Sequence, residues 1–177
     1  MVTLEAILER NNLNRAYKQV KANRGGPGVD GMTVDELLDY LRAHAVEIVE
    51  TVKAGKFKPQ PVRRVMIPKE EKGKFRPLGI PAVDRVIQQV IAQKLSDEYE
   101  PVFSLHSHGF RPCRSCRTAI DEALDIANQG YVWVVDLDLS KFFDTVNHSK
   151  LLQLLSDKLK DGRVVSLIHK ILRAPIQ

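Results

Sequence analysis

Apolar residues recur at helical spacing near the start of the chain: Leu4, Ile7 and Leu8, then Leu13, Ala16, Tyr17 and Val20. That is the stripe a helix presents to a core. Asn11 or Asn12 is placed to cap a second helix inside the stretch, and Gly25-Gly26-Pro27-Gly28 stops it. Thr33 followed by Glu36 has capping-box spacing and opens a helix to about Val52, with Leu37, Leu38, Leu41, Val46 and Val49 on its buried side. A turn at Gly55 ends that helix.

The pattern then changes period. Val62 to Pro68 and Lys74 to Ile80 are two extended runs around Glu70-Glu71-Lys72-Gly73, the composition of a hairpin connection. In a regular strand, Arg63, Val65, Ile67 and Lys69 share one face. Helical spacing returns from Val83 to Leu95, with Val86, Ile87, Val90 and Ile91 inward, and again from Ser115 to Gln129, where Gly130 terminates it. Tyr131 to Leu139 has the length and β-branched content of a central strand. Two short amphipathic helices, near Ser149–Lys158 and Gly162–Arg173, follow. The mixture predicts an α+β fold.

Composition narrows the class. The chain has 177 residues, 44% hydrophobic and 28% charged, enough to bury a core and too apolar for wholesale disorder. No apolar run approaches a membrane span, and the first ten residues lack the pattern of a signal peptide, so a cytoplasmic protein without membrane contact is expected. Two cysteines make no disulfide framework. Between Lys53 and Arg76 stand nine Lys or Arg against Glu70 and Glu71, a local net charge of +7 in a chain whose total is +5. The rest of the chain is then near neutral, and the concentrated positive segment reads as a polyanion site or a solubilising charged face.

Chemistry concentrates in Trp133-Val134-Val135-Asp136-Leu137-Asp138-Leu139-Ser140-Lys141-Phe142-Phe143-Asp144. In a strand, Asp136 and Asp138 point to the same side, at the end of an apolar run. Carboxylates beside a core need a cation, either Arg or Lys or a hard metal with oxygen ligands.

The stretch from Val135 to His148 resembles the first catalytic-aspartate motif of reverse transcriptases, in the form found in bacterial group II intron-encoded proteins. The resemblance covers nearly the whole chain. Asn12-Leu13 with Gly28-Val29-Asp30-Gly31 resembles the N-terminal extension of that family. Arg63 to Lys69 and Arg76 to Pro81 resemble its fingers hairpin, and Asp84 to Gln89 and His108-Gly109-Phe110-Arg111-Pro112 match the next two blocks.

The resemblance implies an N-terminal extension and start of fingers over 1–60, fingers over 61–130 and the N-terminal part of a palm over 131–177. It implies Asp138, rather than Asp136, as the catalytic, Mg²⁺-binding aspartate, with the Leu139 carbonyl beside it. It implies Phe143 as the steric gate against ribonucleotides, and Lys69 and Arg76 as the clasp of the incoming triphosphate. Arg63, Arg64, Lys72 and Lys74 fall to RNA binding. Partners are an RNA template such as intron RNA, a DNA primer and dNTP.

The family also requires a later Asp-Asp hairpin, and no Asp-Asp occurs in the 177 residues. The sequence therefore reads as part of a longer enzyme, inactive alone, whose exposed surfaces leave self-association open. The alternative is a non-catalytic intron-RNA-binding splicing cofactor, a maturase module, which needs the basic segment but neither Asp138 nor Phe143. Among weaker signals, His106, His108, Cys113 and Cys116 suggest a zinc knuckle only superficially; ordinary packing is the better reading. Phe57, Phe75 and Tyr131 are candidates for base stacking, with core packing preferred for Tyr131.

Overall fold

The computed structural model describes residues 2–68, 75–80 and 84–177. They divide into two units, one formed by residues up to Lys94 together with His148–Gln177, the other by Leu95–Asn147.

Unit one opens with two helices. Thr3 caps α1 (Leu4–Ile7) by accepting a bond from the Ala6 N–H at 3.2 Å. A break at Leu8 and Glu9 separates it from α2 (Arg10–Ala22). Neither Asn11 nor Asn12 is the cap that the sequence suggests. Asn12 lies inside α2, 5% exposed, because its amide is needed elsewhere. Its Nδ2 donates to the Ile7 carbonyl at 2.8 Å and to the Val90 carbonyl at 3.0 Å, while Gln93 Nε2 donates to its Oδ1 at 2.7 Å. One buried amide thus ties α1 and α2 to α4 (Asp84–Tyr99), each polar atom paired as burial requires.

The Thr33–Glu36 box forms as expected, with the Glu36 carboxylate accepting from the Thr33 N–H at 2.9 Å and from its hydroxyl at 2.7 Å. It precedes α3 (Leu37–Lys53), whose expected buried side is only partly realised. Leu37 and Val52 are buried, Leu38, Leu41 and Val49 are half-covered, and Val46 is 79% exposed. The helix packs through its two ends and leaves an open groove along its middle.

Strands β1 (Arg63–Pro68) and β2 (Phe75–Ile80) pair antiparallel, from Arg63 opposite Ile80 to Pro68 opposite Phe75. Pro77 has no N–H to offer, which suits an edge strand. On the other side of β1, the Val62 N–H donates to the Pro175 carbonyl at 2.7 Å and the Gln177 N–H returns a bond to the Val62 carbonyl at 2.9 Å. The Glu70–Gly73 connection lies outside the described residues, as does Lys69, expected on one face with Val65.

Helix α4 behaves as its pattern predicts, with Val86, Ile87, Val90 and Ile91 all buried. The core of the unit closes with α7 (His148–Leu159) and α8 (Gly162–Leu172), which pack together through Leu155, Leu159, Val164, Leu167 and Ile168. Asp161 caps α8 by accepting from the Arg163 N–H at 3.0 Å, and its other oxygen accepts from the Leu4 N–H at 3.0 Å. A single carboxylate therefore satisfies orphan donors at two helix starts.

Unit two holds a 3₁₀ turn at Glu100–Val102, α5 (Cys116–Asn128) and the single turn α6 (Phe142–Thr145). Ser115 and Thr118 form a reciprocal capping box on α5. The expected central strand over Tyr131–Leu139 is not a strand here: those residues carry no ladder and stand open, Trp133 at 94% exposure and Leu137 at 88%. A strand is held by hydrogen bonds to a neighbour, and among the described residues none pairs with this run. Tyr131 is likewise exposed rather than packed in a core, whereas Phe57 is buried.

Candidate nucleotide and RNA interface

Asp136 and Asp138 stand on the unladdered stretch, so the shared face expected for them is not fixed by a strand. Both are exposed. The chain then turns at Lys141, whose φ of 53° places a non-glycine residue in the left-handed region, and enters α6. Asp144 and Thr145 N–H groups donate to the Lys141 carbonyl at 2.9 and 3.1 Å. This turn carries Phe142 and Phe143, whose rings meet edge to face with centroids 5.5 Å apart. Phe143 is 83% exposed, so it is not a core aromatic in this unit.

Asp138, Leu139 and Phe143 therefore lie within one short exposed stretch of unit two. An exposed carboxylate followed by a backbone carbonyl is a hard oxygen donor set suited to Mg²⁺, which is held by one or two carboxylates together with substrate phosphates. Among the described residues, no group of three or more His, Cys, Asp or Glu could hold a metal ion. The stretch supplies part of a ligand set, not a cage.

The cationic candidates fall in unit one. Arg63 and Arg64 are exposed on β1, opposite Ile80 and Gly79, and Arg76 stands in β2 opposite Ile67. The ladder thereby brings these three positions onto one hairpin. Lys69, Lys72 and Lys74 lie outside the described residues.

A second cationic surface was missed by counting charge in the Lys53–Arg76 window. Arg10, Arg15, Lys18, Lys21 and Arg24 are all exposed on and just after α2, and no Asp or Glu occurs from Arg10 to Val29. The near-neutral total outside the hairpin segment concealed it, because acidic residues elsewhere cancel it in the sum. Helical periodicity was the available signal: with Ala16 and Val20 inward, the cations fall on the open side.

The His108–Pro112 block organises the loop before α5. Arg111 has a side chain only 6% exposed and grips Glu100 through Nε and Nη2, at 3.1 and 2.7 Å to Oε1. Its Nη1 donates to the Ser104 and Ser107 carbonyls at 2.5 and 2.8 Å. The hydrogen bonds from Arg111 hold the Glu100 carboxyl below its ordinary range. His106 and His108 both bond to Glu122, His108 Nε2 at 2.6 Å, and His108 Nδ1 meets Thr118 Oγ1 at 2.8 Å. Those bonds lower the Glu122 pKa. Cys113 and Cys116 are free and exposed. In unit one, Asp84 of the matching block is 6% exposed and accepts from the Gln60 N–H at 2.5 Å; burial raises its pKa.

Residues 67–175 match the family model described as reverse transcriptase (RNA-dependent DNA polymerase). The chain belongs to the reverse transcriptase family. The matched region contains β2, the Arg111 loop, both aspartates and Phe143. Similar curated proteins include the group II intron-encoded protein LtrA of Lactococcus lactis subsp. cremoris, 38% identical over 160 residues, covering 90% of this chain and 26% of that protein. An uncharacterized 91 kDa protein in the cob intron of Schizosaccharomyces pombe is 36% identical over 176 residues, covering 95% of this chain and 21% of its own length. Protein YkfC of Escherichia coli strain K12 is 37% identical over 178 residues, covering 97% and 46%. The chain thus spans less than half the length of each of these relatives. The resemblance to group II intron-encoded reverse transcriptases agrees with the family model and with the name of the Lactococcus lactis relative.

Proposed function

We propose that the chain is the template- and nucleotide-gripping part of an RNA-directed DNA polymerase of the group II intron type. Residues 1–60 form the N-terminal extension and the start of the fingers, 61–130 the fingers, and 131–177 the first part of the palm. The observation that carries this reading is the family match across residues 67–175, which contains an exposed aspartate and an exposed aromatic ring at the motif's spacing.

In this reading the basic hairpin holds polyanions. Lys69 and Arg76 clasp the triphosphate of an incoming dNTP, neutralising oxygens that gain charge during transfer. Arg63, Arg64, Lys72 and Lys74 hold the RNA template, joined by the cationic face of α2. Phe143 occupies the space that a ribose 2′-hydroxyl would need, and so selects deoxynucleotides for addition to a DNA primer. Asp138, with the Leu139 carbonyl, would hold Mg²⁺. Bound there, the ion supplies charge stabilisation for phosphoryl transfer.

The test is Asp138→Asn in a polypeptide carrying the whole polymerase. Loss of DNA synthesis with RNA binding preserved supports the reading. Undiminished synthesis by the variant rejects it, and intron splicing by an unsubstituted polypeptide that makes no DNA points to an RNA-binding cofactor instead.

A further inference from the structure

A groove of about 360 Å³ opens in unit one between α2, α3 and the start of α4. Its floor is apolar, with Leu13, Leu41 and Ile87 contributing, and it exists because the middle of α3 is not packed down. Tyr17, half-buried, lines it from α2, and Asn14 lies one turn earlier on the same helix face. Arg10 and Arg42 also line it, and no Asp or Glu does. Arg42 is paired to Asp39 at 3.3 Å, but both side chains are more than two-thirds exposed, so the pair yields readily to another anion.

An apolar slot with an aromatic wall, a side-chain amide and two guanidinium groups has the chemistry that receives an unpaired base. The ring stacks, the amide meets a base edge, and the cations meet flanking phosphates. The wall that carries Tyr17 is also the acid-free helix with Arg15, Lys18 and Lys21 on its open side, so charge runs continuously from the groove along α2. A partner protein's apolar helix would cover the same floor but leaves that charge without a role.

We propose that this groove takes an unpaired nucleobase of bound RNA, with the neighbouring phosphates lying on the cations of α2. This rests on the RNA-binding reading above and adds a selectivity to it: RNA with an extrahelical base is preferred over perfectly paired RNA.

The experiment compares an RNA hairpin with a single-nucleotide bulge against the same hairpin fully paired. The wild-type chain should bind the bulged RNA about tenfold more tightly, as one stacked base provides. Ala45→Trp, filling the groove from an exposed position on α3, should remove the preference and leave the paired-RNA affinity unchanged. Tyr17→Leu should also remove it, each variant being checked for native helix content by circular dichroism. Lys18→Gln with Lys21→Gln should weaken both RNAs together.

Equal wild-type affinity for the two RNAs, with salt-dependent binding intact, overturns the nucleobase site and leaves the RNA-binding reading standing. A preference that survives both groove variants overturns it too. No binding to either RNA overturns both proposals. If a fluorescent acidic amphipathic helical peptide binds and Ala45→Trp abolishes that binding without altering RNA selection, the groove is a protein dock and the inference is wrong.

Discussion

Removing the Asp161 carboxylate should loosen unit one at two places far apart in sequence. Its Oδ1 accepts the Arg163 N–H at the start of α8, and its Oδ2 accepts the Leu4 N–H at the start of α1, 157 positions away. The Arg163 guanidinium also reaches Oδ2 at 3.0 Å and bonds Glu5 at 2.7 and 2.9 Å. Loss of the cap costs about 1 kcal/mol, and stranding the N–H of buried Leu4 costs about another 1–2 kcal/mol. Asp161→Ala should therefore destabilise by roughly 2–3 kcal/mol at neutral pH. Urea unfolding followed by circular dichroism is the appropriate assay, since the single Trp133 lies in the other unit.

The same carboxylate gives a signature in pH. Hydrogen bonding from Arg163, ahead of the bond from the Leu4 N–H, lowers its pKa from 3.8 to about 2. A depressed carboxylate contributes fully above its unfolded value and loses that contribution as pH falls through the folded one. At about 1.4 kcal/mol per pKa unit the charge contributes at most about 2.5 kcal/mol, and solvent around the partly exposed Arg163 reduces this to about 1 kcal/mol. The gap in stability between wild type and Asp161→Asn should be constant at neutral pH and narrow below about pH 4, towards pH 2. A gap that does not change across that interval, or an Ala variant within about 0.5 kcal/mol of wild type, would refute the reasoning.

Asn12→Ala removes the amide bonds to the Ile7 and Val90 carbonyls and the bond from Gln93 Nε2, which keeps only its longer bond to the Asn12 carbonyl at 3.2 Å, and should cost about 1–3 kcal/mol in the same unfolding assay. A change within about 0.5 kcal/mol contradicts the buried network. In a polypeptide carrying the whole polymerase, Asp138→Asn should abolish DNA synthesis and Asp136→Asn should do less, as read by primer extension with RNA binding measured alongside. Equal damage from the two makes the choice between these aspartates wrong. Phe143→Ala should raise ribonucleotide relative to deoxynucleotide incorporation without lowering the melting temperature, because the ring is exposed. A folded variant with unchanged sugar selectivity removes the gate.

The helices were legible because their information is local. The Thr33–Glu36 box, the Gly130 stop after the helical run from Ser115 and the apolar spacing of α4 each act within a turn or two, and all three appear in the fold. Antiparallel pairing of Val62–Pro68 with the second run was legible for the same reason, since a short connection leaves little choice of partner. Asn12 was misread because a cap and a buried tertiary amide look alike in sequence; only the approach of Val90, 78 positions away, distinguishes them. Tyr131–Leu139 has strand composition, but a strand is a property of at least two segments, and composition does not contain the partner. At the candidate site, strand alternation offered Asp136 and Asp138 together, only the family resemblance pointed to Asp138 and Phe143, and their exposure could only come from the fold. The cationic face of α2 was accessible in principle, hidden by summing charge over a window rather than over a helix face.

Binding of the 177-residue chain to single-stranded RNA across a salt series, with primer extension assayed in the same samples, tests the central claim most directly. If Arg63, Arg64 and the cations of α2 lie on phosphates, the logarithm of the association constant should fall linearly with the logarithm of salt concentration, by about 0.7 for each phosphate neutralised. Several contacts should give a slope of about −3 or steeper, and replacing Arg63 and Arg64 by Gln should reduce it by about 1.4. No extension should accompany binding, because the 177 residues contain no Asp-Asp pair to complete the metal site. A flat salt response, or efficient extension by this chain alone, would contradict the account.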